Sequence, residues 1–300
     1  MGAVRESWRQ ARHVQPGKIA KAAQRPFTLL LVTVSTAEQD AWVRFLIPEA
    51  LPAAEREQAL QRIEPVLAGE PGLNNARQRA DAAIASPAAR AQGCDWAVEL
   101  DIEKPRAGSE ELLRRHGHLL LALGRRFPPL RAVAARGLVQ STAMRNAGIA
   151  ALTAIPEVVP TPLGVAWALG EFASDSVLLS ANQVRLAMEL AALYGAPVGW
   201  GPQSPAILAI VGGAFGWRAA ARAVVALIPA GVGLAAKSGI AYGGTLTVGG
   251  WLWHRQHRRA EFQRLSGAKA RTPGPGSRLV LERLPGGHWR PRNLPELAEG

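Results

Sequence analysis

Apolar and polar positions change period several times along the chain, and each change predicts a new element. Residues 27–34, FTLLLVTV, form a short apolar run that ends in β-branched residues behind Pro26, as a buried strand does. Residues 37–47 and 53–67 carry apolar side chains at three- and four-residue spacing and read as helices, broken by Pro48 and Pro52 and ended near Gly69 and Pro71-Gly72. An alanine-rich helix is expected over 75–91 with an interruption at Pro87, then a second strand over 95–102, DWAVELDI. The leucines from Leu112 to Leu123 predict a helix that stops before Phe127-Pro128-Pro129, and 130–154 another. Residues 1–24 read as a polar basic helix broken at Pro16-Gly17. Strand, helices, strand, helix is an α/β order.

Charge divides the chain. Lys plus Arg number 35 against 23 Asp plus Glu, a formal +12, and the isoelectric point is about 11.1, which favours anionic partners. From Ser141 to Trp253, however, the basic residues are only Arg145, Arg185, Arg218, Arg222 and Lys237, against Glu157, Glu171, Asp175 and Glu189. Polar, basic flanks therefore enclose a nearly neutral apolar block. Within it an amphipathic helix is expected over 182–194, closed by Gly195 and Pro197, and 204–253 is the least polar stretch. After Arg271 the proline- and glycine-rich TPGPGS and LPGGHWRPRNLP read as disordered.

The block is long enough to meet a membrane. Residues 232–253 would cover about 33 Å as a helix, the thickness of a hydrocarbon core. Lys237 lies near one end, Trp251 and Trp253 stand where an aromatic belt would, and His254, Arg255, Arg258 and Arg259 follow as a positive anchor. Residues 206–228 could pair with it, but Arg218 and Arg222 bring its insertion energy close to zero. Residues 148–169, with Glu157 among prolines, suit a bent or re-entrant segment. Gly212 with Gly216, and Gly239 with Gly243, have the four-residue spacing that lets helices approach closely.

Catalytic motifs are missing where they would be expected. The first strand leads into VTVSTAEQDAWVRFL, with no GxxxxGK[ST] to cradle phosphates. The six histidines lack metal-ligand spacing, and no nucleophile elbow, HExxH or GxGxxG is present. Cys94, the one cysteine, excludes an intramolecular disulfide framework and fits a reducing compartment. No catalytic residue, cofactor or metal ligand is therefore expected, and the basic cluster beside tryptophans favours anionic lipid over specific nucleic-acid binding.

The strings MRNAGIAALTAIPEVVPTPLG, LLSANQVRLAMELAALYG, GGAFGWRAAARAVVALIPAGVG and KSGIAYGGTLTVGGWL resemble, in order and spacing, the YcjF/GTPase-associated domain of unknown function. The resemblance covers about residues 130–253. It implies a helical, membrane-associated bacterial module that accompanies or follows an Era-like GTPase domain, with no established reaction. It also implies structural or interaction roles for Asn146, Pro156, Asn182, Gln183, Tyr194, Gly195, Trp217, Arg218, Arg222, Pro229, Lys237, Tyr242 and Gly243. The segment 26–123 stands where a relative's GTPase domain would, but lacks the phosphate loop and a base-specificity motif.

Together these readings give a mainly α, α+β chain, a small degenerate GTPase-like α/β domain (26–123) followed by a hydrophobic α-helical domain (130–253). A basic N-terminal helix (1–25) and a basic, largely disordered tail (254–300) flank them. The expected function is that of a non-enzymatic accessory protein at the cytoplasmic membrane with both flanks in the cytoplasm. Its expected partners are anionic lipid, a protein such as a GTPase, or a second copy of the chain. Two alternatives are a cytoplasmic helical scaffold for an acidic partner and a nucleotide-binding protein built around Ser35, Thr36 and Arg44.

Overall fold

The structure is a computed structural model that describes residues 14–154, 164–210, 212, 233–270, 277–283 and 289–295, with side chains described outside 153–178, 233–237 and the residues after 262. It is mostly helical with a small parallel sheet. The chain divides into two compact units, one of residues 22–134 and 261–300, the other of residues 1–21 and 135–260.

In the first unit, β1 (Leu29–Thr33), β2 (Ile63–Leu67), β3 (Ala82–Ala85) and β4 (Val98–Glu99) form a parallel sheet in the order β2-β1-β3-β4. Leu29 pairs with Ile63 on one side and with Ala82 on the other. A strand flanked on both sides and covered on both faces reads as a near-continuous apolar run, and every residue of LLLVT is buried. Leu29, Leu30 and Leu31 are fully buried, each worth about 1.5–3 kcal/mol in removed apolar surface. Leu30 and Val32 pack with Val66, Ala76, Ala85, Ala89 and Cys94 in one cluster.

The helices between the strands follow their capping signals. After α1 (Pro16–Gln24), which lies across the division between the units, Ser35 caps α2 (Thr36–Leu46), whose buried Gln39, Trp42, Val43 and Leu46 repeat at helical spacing and pack on β1. There follow α3 (Ala53–Leu60), α4 (Leu73–Arg79) and α5 (Pro87–Ala91), the last capped by Ser86 with proline in its first turn. Then come α6 (Pro105–Arg115), a 3-10 turn at Gly117–Leu119 and α7 (Leu120–Arg126). Gly108 lets α6 cross β4 closely, because a Cβ there would run into the Glu99 carbonyl oxygen and Leu100.

Several expectations are corrected here. The helix expected over 53–67 stops at Leu60, and IEPVL becomes β2, an edge strand whose Pro65 costs no ladder bond on its open side. The helix expected over 75–91 contains β3, since AAIA pairs between β1 and β4 with Ala82, Ile84 and Ala85 buried. The helix expected to stop before Phe127-Pro128-Pro129 does so, with α7 ending at Arg126 and α8 (Pro128–Ala154) starting at Pro128, and Pro16 starts α1. The tail read as disordered carries an antiparallel pair, β5 (Ser277–Arg283) with β6 (Trp289–Pro295), Ser277 facing Pro295.

The second unit is helical. It contains α8 from Ala135, α9 (Gly164–Leu193), a helical segment at 204–210, and α10 (Gly233–Ala270) as far as Ala260. α9 ends where Gly195 takes φ +74°, with Ala196 N–H donating to the Ala191 carbonyl and Gly195 N–H to that of Ala192, a left-handed cap that glycine adopts without strain. Val184, Leu186, Ala187, Met188, Leu190 and Leu193 of α9 are buried.

No helix among the described residues is long and apolar enough to cross a membrane. The expected span at 232–253 is therefore corrected: in α10 the apolar residues are diluted by Lys237, two threonines and repeated glycines. The partner segment at 206–228 lies mostly outside the described residues, as do residues 155–163 of the expected re-entrant turn.

Candidate functional site

A parallel sheet of this order has a topological switch point at the carboxyl ends of β1 and β3, from which the chain connects to opposite sides. In open α/β sheets, ligands favour such a crevice. Here the chain fills the hydrogen-bonding capacity of its own strand ends. Val34 N–H donates to Glu38 Oε2 at 2.8 Å, and Glu38 N–H to Ser35 Oγ at 3.2 Å. Leu67 N–H donates to Glu70 Oε2 at 3.1 Å, Ala89 N–H to Ser86 Oγ at 3.1 Å, and Glu103 N–H to Asp101 Oδ1 at 2.8 Å.

Where a phosphate loop would offer amides to an external anion, the Glu38 carboxylate already accepts one. Ser35, named above for a nucleotide site, is engaged as the helix cap. Arg44 lies in the last turn of α2, about 12 Å farther along the axis, so the fold does not bring it to Ser35 and Thr36. Gln39, fully buried one residue beyond Glu38, has neither amide atom hydrogen-bonded. No group of three or more His, Cys, Asp or Glu that could hold a metal occurs among the described residues.

The helical unit gathers more of the residues singled out in the sequence. Asn146 on α8 is fully buried, and its Nδ2 donates to Thr245 Oγ1 on α10 at 2.9 Å. Asn182 Nδ2 on α9 donates to Asn146 Oδ1 at 2.7 Å, and Thr245 Oγ1 donates to the Ala241 carbonyl at 2.8 Å. Three helices thus share one polar chain inside an apolar bundle, where unpaired amides would be costly. Asn146 and Asn182 were singled out and Thr245 was not; a threonine ninety-nine positions away from its asparagine gives no local signal.

A second polar tie joins Tyr194 at the end of α9 to Trp253 of α10, with Nε1 donating to the phenol oxygen at 2.6 Å. His257 meets the Tyr194 ring edge-on at 6.1 Å between centroids. Trp253, expected as a belt residue, is thus half-buried and hydrogen-bonded within the bundle. Gln256 Nε2 donates to Gln203 Oε1 at 3.4 Å, and Gln203 Nε2 to the Pro197 carbonyl at 2.9 Å.

The inward face of α10 is Thr245, Gly249, Leu252 and Gln256, at four-, three- and four-residue steps. Gly249 is the close helix contact, since a Cβ there would lie 2.6 Å from Val139 Cγ1 and 3.3 Å from Leu186 Cδ2. Beside Gly212, Gly239 and Gly243 a Cβ would meet no described atom within 4 Å, and most of the 206–228 segment expected to pack on them lies outside the described residues. Gly243 and Tyr242 are half-buried on α10, and Gln183 half-buried on α9.

The outward face carries Trp251, 46% exposed, and then His254, Arg258 and Arg259, all exposed. Arg255 is half-buried with its guanidinium carbon 5.8 Å from the Trp251 ring centroid. One α-helical face therefore presents an aromatic ring and, within two turns, a run of cations. Met144 and Leu152 on α8 and Leu208 are also exposed. Gly216, Trp217, Arg218, Arg222, Pro229 and Pro156 lie outside the described residues, as does the side chain of Lys237. No family model, curated protein or solved structure matches this chain.

Proposed function

We propose that the protein is a non-enzymatic accessory protein that attaches to an anionic membrane surface through the outward face of α10. The observation that carries this reading is the exposed Trp251 ring on the same helical face as His254, Arg258 and Arg259. Tryptophan favours the interfacial depth of a bilayer, and each nearby Lys or Arg adds about 1 kcal/mol of attraction to acidic lipid. Attachment in the interface needs no spanning helix. It also leaves Trp253 and Gln256 to hold α10 in the bundle while Trp251 and the cations meet lipid. The resemblance to GTPase-associated domains adds a GTPase as the protein partner to test.

Sedimentation of the full chain with vesicles tests this. Phosphatidylcholine vesicles containing phosphatidylglycerol should carry it down, and pure phosphatidylcholine should not. Arg258→Gln with Arg259→Gln should weaken binding in a salt-sensitive manner, and Trp251→Ala in a salt-insensitive one. Equal binding by all variants, or none by the parent protein, would reject the reading.

A further inference from the structure

Exposed arginines of the sheet-containing unit commonly have a carboxylate of their own. Arg79 pairs with Glu64, Arg90 with Glu99 at 3.3 Å, Arg106 with Glu110 at 2.9 Å, and Arg114 and Arg115 with Glu111 at 2.8 and 2.6 Å. Other arginines of this unit, such as Arg56, form no such pair among the described residues, but the half-buried Arg62, Arg125 and Arg126 are the ones gathered at the amino end of the sheet. Arg62 immediately precedes β2, and its carbonyl accepts Leu29 N–H at 2.7 Å. Arg125 and Arg126 end α7, and the next residue, Phe127, packs edge-on against Phe27, which leads into β1.

Backbone contacts hold the segments that carry Arg62 and Arg125, and a side-chain contact holds Arg126. Buried Arg131 donates to the carbonyls of Gly124 at 3.1 Å and Arg125 at 2.8 Å, which holds the last turn of α7. Arg126 Nη1 donates to Gln58 Oε1 at 2.8 Å, a neutral acceptor. No carboxylate among the described residues forms an ion pair with Arg62, Arg125 or Arg126. Burial pulls the pKa of Arg126 down, Arg62 and Arg125 pull it further, and Glu55 opposes them. Asp81, the acid that precedes β3, accepts Thr28 N–H at 2.8 Å. Like charges gathered in a partly desolvated place repel one another unless a counter-charge arrives.

We infer that Arg62, Arg125 and Arg126 form a binding site for a phosphoryl group, either free or as a lipid headgroup. Planar guanidinium forks match phosphate oxygens in bidentate pairs, and a dianion offsets charge that one carboxylate would not. The Gln58 amide, already on Arg126, keeps that fork oriented. The inference does not depend on Trp251, His254, Arg258 and Arg259, which belong to the other unit.

The test uses the full chain at constant ionic strength, with pyrophosphate as the free probe, followed by calorimetry and thermal unfolding. Pyrophosphate should bind and raise the melting temperature. In Arg62→Gln/Arg125→Gln the affinity should fall by about tenfold or more, while the melting temperature without pyrophosphate stays the same or rises because a repulsion is gone. Arg126→Lys, which keeps the charge and loses the fork, should also weaken binding. Arg258→Gln/Arg259→Gln should leave it unchanged, which separates this site from the α10 surface. Phosphatidic acid vesicles compared with pyrophosphate identify the source, since a response to either one alone assigns the site to that form. No response to either, an unaltered response in the arginine variants, or a lower melting temperature of Arg62→Gln/Arg125→Gln without the probe would overturn the inference.

Discussion

Trp253 Nε1 donates to the phenol oxygen of Tyr194 at 2.6 Å, tying the middle of α10 to the capped end of α9 across fifty-nine residues of chain. Removing the acceptor takes the partner from a partly buried indole N–H. Tyr194→Phe should therefore cost about 1–3 kcal/mol of unfolding free energy. Urea denaturation checks this, and an unchanged midpoint would show that water replaces the phenol.

Asn146, Asn182 and Thr245 act as a unit. Asn146→Ala leaves two partners without their bond and a small void, an expected loss of about 2–3 kcal/mol. Thr245→Ala added to Asn146→Ala should cost less than the sum of the two singles, with a coupling of about 0.5–3 kcal/mol in a double-mutant cycle. Strict additivity would show that the two side chains do not share an interaction.

Two glycines on α10 should respond in opposite ways. Gly249→Ala drives a methyl group against Val139 and should destabilise by about 1–3 kcal/mol, with Val139→Ala restoring part of the loss. Gly243→Ala meets no described atom within 4 Å and should stabilise the helix by up to about 1 kcal/mol. Melting temperatures of the three variants decide the matter, and a stabilised Gly249→Ala would contradict the close approach of α10 to α8.

Gln39 lies on the buried stripe of α2 with both amide atoms unbonded. Gln39→Met keeps the volume and removes the unmet polar demand, so a gain of about 1–3 kcal/mol is expected. A loss of stability would instead point to a bound water or ligand on the amide.

His116 supplies a pH dependence. Burial, followed by the charges of His118 and Arg115, lowers its pKa below the ordinary 6.5, against a smaller opposing pull from Asp81. A folded-state pKa below the unfolded one means that the unfolded chain binds the proton first. The contribution is thus present above the unfolded pKa and lost as pH falls through the folded one. The melting temperature should decline through mildly acidic pH, and His116→Gln should flatten the decline; identical profiles would exclude the imidazole as its source.

How much of this was readable in the sequence follows from what each element needs. β1 was legible because a central strand buried on both faces reads as a near-continuous apolar run, as LLLV of LLLVT does. β2 was hidden by Pro65, tolerable only because the strand lies at an edge, and β3 by alanines, which local propensity assigns to helix. The pair β5 and β6 was obscured by prolines and glycines that also punctuate disorder. Among site residues, Asn146, Asn182, Tyr194 and Gly195 were singled out by resemblance. Their partners Thr245 and Trp253, and the contact glycine Gly249, are fixed by packing between distant segments, which periodicity does not report.

The Glu38 carboxylate on Val34 N–H has a consequence for ligand competition. A group attached to the same chain stays near its partner at a high effective concentration regardless of cellular phosphate. An external anion seeking that amide must first displace a tethered rival, so the entrance to α2 answers to mutation at position 38 far more readily than to supply. The fold has, in effect, written its occupant into the sequence.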